Sequence, residues 1–196
     1  MNLRDTLTRA VTSPGAPSSD FDLNEDADVP KQTLREAAVL IAVVSGYEPR
    51  LVLTKRSSAL KHHPGQIAFP GGKVEESDVN VTAAALREAE EEIALRDVEV
   101  LGTLAPHQTV TGFNVTPVLG LIGPDYHVSP DFCEVDEVFD VPLEHVMEPS
   151  NYMIESRRWR GQPRYYFAVP WGPYYIWGAT ARMLRALADR MKDDIA

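Results

Sequence analysis

The chain has a single cysteine, Cys133, in 196 residues. It can therefore build neither an internal disulfide framework nor a zinc site from its own thiolates. That usage fits a reducing, cytoplasmic setting. Long apolar runs are also missing: the longest, residues 37–44, is far too short to span a bilayer, and residues 1–10 hold no apolar signal core. A soluble protein without a membrane partner is expected. Positive charge is in deficit, with 19 Lys and Arg against 29 Asp and Glu and a formal net charge of −10. A surface that tracks a nucleic-acid polymer carries the opposite balance, so no such polymer is expected as a partner. No internal repeat and no regular βαβ rhythm is present.

What is there suffices for one core, since 44% of the residues are hydrophobic. Residues 1–33 read as an N-terminal arm, partly flexible, and residues 34–196 as the domain. Residues 11–31 mix Ser, Pro, Gly, Asp and Asn, with too little apolar area to offset the ordering of their backbone, and read as loose. Residues 1–10 fit one short helix that docks on the domain or a partner. The run at 37–44, closed by Ser45-Gly46, reads as a buried central strand, and 50–56 as an antiparallel second strand after the turn Tyr47-Glu48-Pro49. Residues 82–95 form a helix, because Ala85, Leu86, Ala89 and Ile93 fall on one stripe. Strands are expected at 98–103, 113–122 and 165–169, a strand or turn leading into a short helix at 134–142, and a closing amphipathic helix at 179–191.

The helix at 82–95 carries the chemistry. At ~100° per residue, Glu88, Glu91 and Glu92 share an arc of about 100°, while Glu90 points elsewhere. Three hard oxygen donors at this spacing suit Mg²⁺ or Mn²⁺, although a glutamate-rich face is also what a plain solvated surface looks like. Ahead of it, Phe69-Pro70-Gly71-Gly72-Lys73 is a turn whose backbone N–H groups can approach phosphate oxygens closely.

Residues 72–95 resemble the Nudix box. Gly72, Arg87, Glu88, Ala89, Glu91, Glu92 and Leu95 match it as they stand. Asp78 replaces the usual glutamate, with eight residues rather than seven between it and Arg87, and Ala94 replaces the final glycine. The resemblance implies an α/β/α sandwich with a mixed central sheet and hydrolysis of a nucleoside diphosphate joined to another group. It implies Glu88 and Glu92 as principal metal ligands, and Glu91 as a further ligand or as the base for the attacking water. Catalytic roles thus fall to Glu91 and Glu92. Arg87 is expected to pair with an acid of the preceding loop. Glu134 and Glu137 are the candidates for a base outside the box.

The segment 52–72 resembles the signature of the coenzyme A pyrophosphatases within this family, with Val52 for a usual leucine and Lys61 for a usual arginine. Similarity to that subfamily continues through 134–143 and 176–181. It implies coenzyme A or an acyl derivative as substrate, with Arg56, Ser57, Lys61, His63, Phe69, Gly71 and Gly72 as substrate-binding residues. Lys55, Arg56 and Lys61 form a basic cluster suited to phosphates. His62 and His63 point apart on an extended segment and lack a third metal partner. The aromatics Tyr165, Tyr166, Phe167, Trp171, Tyr174, Tyr175 and Trp177 could stack an adenine but read mostly as core or dimer contacts, and none is assigned to the ligand. Two rival readings stay open: another nucleoside diphosphate such as ADP-ribose or NADH, and a non-catalytic nucleotide or acyl-coenzyme A sensor. Family analogy leaves a homodimer open as well.

Overall fold

A computed structural model describes residues 2–12, 15–24, 33–159 and 161–193. Its elements run α1 (Leu3–Thr12), β1 (Ser18–Ser19), β2 (Arg35–Val44), β3 (Arg50–Arg56), β4 (Ile67–Ala68), β5 (Gly71–Lys73), α2 (Val81–Ile93), β6 (Glu99–Thr103) and β7 (His107–Gln108). There follow β8 (Phe113–Ile122), β9 (Val135–Pro142), α3 (Leu143–Met147), β10 (Met153–Trp159), β11 (Gln162–Ala168) and α4 (Ala179–Asp193).

Alternation along β2 sets the layers. Ala38, Leu40, Ala42 and Val44 face a core shared with Val52 and with Ala84, Ala85, Ala89 and Ile93 of α2. Ala37, Ile41 and Val43 face the opposite core, with Leu7 of α1, Leu51, Leu53, Val146 of α3 and Leu184 of α4. The result is the expected α/β/α sandwich. The sheet is mixed: β2 pairs parallel with β8 over its ten residues, Arg35↔Phe113 to Val44↔Ile122, and antiparallel with β3 and β5.

The first two long strands form a hairpin only at its turn end, through Val43↔Leu51 and Val44↔Arg50. Beyond that point they part. The edge of β2 is taken by β5, in the register Ala37↔Lys73, Ala38↔Gly72 and Val39↔Gly71, while β3 pairs with β4 and β9. This opening lets the Gly71-Gly72 turn reach the glutamate helix.

Helix α2 starts at Asn80, whose extended backbone and Oδ1, accepting from Ala83 N–H at 2.9 Å, make an N-cap. It ends at Ala94, in left-handed geometry with φ 54°, donating to the Glu90 carbonyl at 2.8 Å. The exit that glycine favours is thus taken by alanine.

Two readings of the chain are corrected. The strand expected at 165–169 is β11, but β10, which pairs with it from Met153↔Ala168 to Trp159↔Gln162, was missed. Its residues Glu155-Ser156-Arg157-Arg158 offer no apolar alternation, so the backbone pairing carries it. The loose arm is ordered wherever it is described: Val11 and Thr12 belong to α1, and residues 15–24 run as a strap, while 13–14 and 25–31 lie outside the described residues. Ser18 and Ser19 pair with His107 and Gln108. The buried His107 ring sits between Ser18 Oγ, 2.9 Å from Nδ1, and Asp20 Oδ1, 3.2 Å from Nε2. Asn24 exchanges hydrogen bonds with the Tyr165 backbone at 2.9 and 2.8 Å, and Asp22 pairs with Arg182 at 2.7 Å. Polar contacts, rather than apolar area, order the strap. The helix expected at the start is α1, docked through the buried Leu7 and Ala10. Among the described residues no helix is long and apolar enough to cross a membrane.

Burial works to raise the Asp20 carboxyl, but the His107 hydrogen bond and charge, with the Val110 N–H, hold it below the usual value. A carboxylate lowered by folding stabilises the fold above the ordinary range and loses that contribution as pH falls through the lowered value. Replacing Asp20 by Asn should lower stability at neutral pH by about 1–3 kcal/mol. The gap to the parent should close as pH drops below about 4, read from urea unfolding across the acid range.

Candidate active site

The site forms where α2 meets β5, the end of β3 and the loop before β9. Glu92 of α2 is 3% exposed, and its Oε2 accepts the Gly71 N–H at 3.1 Å. Arg56 Nη1 stands 3.7 Å from Glu92 Oε1. The loop before β9 is tied to the end of the same helix: Ser129 N–H donates to the Ile93 carbonyl at 2.8 Å and Asp131 N–H to that of Glu92 at 2.9 Å. These bonds satisfy carbonyls that a helix end leaves over.

Burial pushes the Glu92 carboxyl up to about 7, and the charges of Glu88 and Glu134 add to the rise, against the Gly71 N–H and Arg56. Glu88 is half-buried and is likewise raised, first by burial and then by Glu91 and Glu134, against Arg87. A site that raises two neighbouring carboxyls is one in which negative charge is crowded and poorly solvated. A cation relieves such crowding.

Arg87 organises the approach. Its Nε and Nη2 hold Asp78 at 3.0 and 2.9 Å, Nη2 also donates to the Lys73 carbonyl at 3.1 Å, and Nη1 reaches Glu88 at 3.0 Å and Glu91 at 2.9 Å. The fork keeps the Asp78 carboxyl below its usual value. Arg87 is thus the expected structural clamp on the preceding loop, with Asp78 as its acid.

The two glycines have separate reasons. Gly71 has φ +154°, and a Cβ there would lie 2.4 Å from the Ala38 carbonyl oxygen. A Cβ on Gly72 would lie 2.4 Å from Glu88 Oε1. Glu88 and Glu92, one helical turn apart, therefore both face the Gly71-Gly72 backbone.

Of the residues singled out from the sequence, the structure gathers Glu88, Glu92, Arg56, Gly71 and Gly72. Glu91, its side chain 58% exposed, shares the Arg87 Nη1 donor with Glu88, at 2.9 and 3.0 Å, while Glu92 is held separately by Gly71 and Arg56. Among the described residues no three His, Cys, Asp or Glu side chains are arranged to hold a metal ion. Glu90 points away, as expected, and pairs with Arg96 at 2.8 Å. Ser57 is buried, and its N–H donates to the Glu134 carbonyl at 2.8 Å, which makes it a tie between two loops. The Phe69 ring is buried in the core on the α4 side, where it anchors the turn instead of offering a surface to a ligand. Lys61 and His63 lie exposed, His63 with φ 54°. Of the outside carboxylates, Glu134 acts on Glu88 and Glu92, whereas Glu137 accepts a hydrogen bond from the Tyr174 hydroxyl. That tyrosine pair was missed from the sequence; strand alternation, which turns Lys55 to the face opposite Thr54, is the signal that leads to it.

A sandwich of this kind, with a glutamate helix laid against a Gly-Gly turn, has the architecture of a Nudix domain. The chain belongs to the NUDIX domain family, whose sequence profile matches residues 34–159. It is 46% identical over 156 residues to a protein of Enterobacter sp. (strain 638) described as an uncharacterized Nudix hydrolase, NudL, covering 79% of this chain and 81% of that one. It is 47% identical over 158 residues to the protein of the same description from Escherichia fergusonii, with the same coverages. Among solved structures, the NUDIX domain of Shewanella oneidensis NrtR, complexed with ADP ribose, aligns with TM-score 0.51 at 15% identity, over 90% of this chain and 97% of that one. At that identity the likeness concerns the fold.

The glycines should separate on substitution. Gly71→Ala meets backbone at a positive φ and should cost on the order of 2–4 kcal/mol, seen as a lower melting temperature. Gly72→Ala meets only the carboxylate end of the Glu88 side chain, not backbone. It should cost less than about 1 kcal/mol of stability yet cut hydrolytic turnover at least about tenfold.

Proposed function

We propose that this chain hydrolyses the diphosphate bond of coenzyme A or an acyl-coenzyme A, giving 3′,5′-ADP and 4′-phosphopantetheine or its acyl form, with Mg²⁺ or Mn²⁺. The observation that carries the reading is the meeting of two motifs at one carboxylate. Arg56 and Gly71, both from the segment that resembles the coenzyme A signature, contact Glu92 of the box. Arg56 beside the carboxylates, with Lys55 next to it in the chain, suits a substrate bearing several phosphates.

Glu88 and Glu92 are the residues that would hold the ion. Their oxygens face one stretch of backbone, and the missing Cβ of Gly72 leaves Glu88 its place. A bound Mg²⁺ or Mn²⁺ offsets the charge of the diphosphate and lowers the pKa of water. The protein's part is orientation and proton transfer. The Gly71 N–H and Arg56 fix Glu92, and the Arg87 fork fixes Glu88. As water oxygen bonds to phosphorus, its proton passes to a carboxylate, and the bridging P–O bond breaks with its electron pair on the leaving phosphate. Glu134, whose charge acts on both Glu88 and Glu92, is the acceptor in this reading, and Glu137, bound by the Tyr174 hydroxyl, is not.

Product analysis tests the reading. Coenzyme A with Mn²⁺ should yield 3′,5′-ADP, and Glu92→Gln should lower kcat by about 10²–10⁴-fold while melting as a folded protein. If ADP-ribose or NADH is cleaved and coenzyme A is not, the substrate assignment fails and the diphosphatase assignment stands. A nucleotide sensor would show no metal-dependent rate in either form.

A further inference from the structure

Strand β3 has a second side. Lys55, next to Arg56, pairs with Ile67 and Glu137 in the sheet. It lines a cleft of about 430 Å³ together with Ile67, Glu137, Tyr174, Tyr175 and Trp177. The volume falls within the range of small-molecule sites. Lys55 and Arg56 are consecutive at the end of β3 and turn to opposite sides of it, so the strand presents Arg56 to the glutamates and Lys55 to the cleft.

The three aromatics of the cleft are not equivalent. Trp177 has the Arg157 guanidinium 4.5 Å from its ring centre and Tyr166 tilted at 5.0 Å. The hydroxyl of Tyr175 donates to Glu155, and the Tyr175 ring lies 6.4 Å from that of Trp177, tilted by 32°. Tyr174 is different. One face lies on Phe139, with centroids 3.6 Å apart and planes 7° from parallel, and its hydroxyl donates to Glu137. Phe139 is buried and fixed in β9, so the face of Tyr174 turned away from it is the one that lines the cleft. A ring held by a stack beneath and a hydrogen bond at its tip is a rigid platform, with little conformational freedom left to lose when a flat ligand settles on it.

We propose that this cleft takes the nucleobase half of the substrate, the base stacking on Tyr174 and Lys55 meeting the adjoining sugar phosphate. The inference rests on the diphosphatase reading and extends it by assigning the two ends of the substrate: nucleoside in the cleft, the other half directed away from it. Base–aromatic stacking is indifferent to base identity, so the cleft selects for a flat ring and Lys55 for the anion beside it.

Binding of the separated products to the full chain, measured by calorimetry without metal, tests this. The parent should bind 3′,5′-ADP. Tyr174→Leu should weaken that binding about ten- to hundredfold and leave 4′-phosphopantetheine unchanged. Tyr174→Phe, which keeps the ring, should stay within about threefold of the parent. Parent-like binding of 3′,5′-ADP by a folded Tyr174→Leu, or a loss confined to 4′-phosphopantetheine, overturns the proposal. Should Tyr174→Leu not fold, the parent itself decides: nuclear Overhauser contacts between the adenine H2 or H8 protons and the Tyr174 ring are expected, and their absence in a saturated complex refutes the platform. If coenzyme A proves not to be the substrate, AMP, common to ADP-ribose and NADH, replaces 3′,5′-ADP with the same expected loss. The cleft assignment and the coenzyme A assignment therefore fail separately.

Discussion

A carboxylate buried to 3% exposure and held by one backbone N–H, Glu92 on Gly71, joins every part of the site. Through its side chain α2 is fixed to β5. Through its carbonyl, which accepts from Asp131, the same residue holds the loop that carries Glu134, and Arg56 closes on it from β3. Such a group is expensive to ionise. A carboxyl moved from 4.5 to about 7 disfavours the charged form by on the order of 3 kcal/mol. Because the folded chain holds that proton more tightly than the unfolded one, the penalty grows as pH rises from the ordinary carboxyl value toward 7. The fold thus maintains a concentration of negative charge that stability alone would not select, which is characteristic of functional sites.

This arrangement depends on strands that part. Had β2 and β3 paired along their whole length, the edge used by β5 would be closed and the Gly71-Gly72 turn could not lie under α2. Two ladder positions at the turn hold the strands together, and the separation beyond them is filled by β4 and β5, whose residues apart from Lys73 lie in the segment 52–72. The same geometry gives β3 two working faces, Arg56 toward the carboxylates and Lys55 toward the aromatic cleft.

Much of this was legible from residue types and spacing. The apolar stripe of α2 and the continuous apolar run of β2 are strong periodic signals, and the core uses both. Arg87 was expected on an acid of the preceding loop and meets Asp78, and Ala94 takes the left-handed exit that the missing glycine implied. What stayed hidden depends on tertiary context. Helical phase put Glu91 on the arc with Glu88 and Glu92, but phase does not say that Arg87 holds it at the surface. The motif placed Phe69 near the substrate, while the core claims its ring. Composition made residues 11–31 loose because it weighs apolar area, whereas Ser18, Asp20 and His107 order the described strap through buried polar contacts between distant segments. The face of Tyr174 became visible only with Phe139 beneath it.

The central claim is that Glu88 and Glu92, and not the glutamates beside them, form the metal-binding pair. A Mn²⁺ titration followed by the electron paramagnetic resonance of the free ion tests it without reference to any substrate. The parent and Glu90→Gln should take up Mn²⁺ alike, while Glu88→Gln and Glu92→Gln should each lose about tenfold or more in affinity. Unchanged uptake by Glu92→Gln would contradict the account.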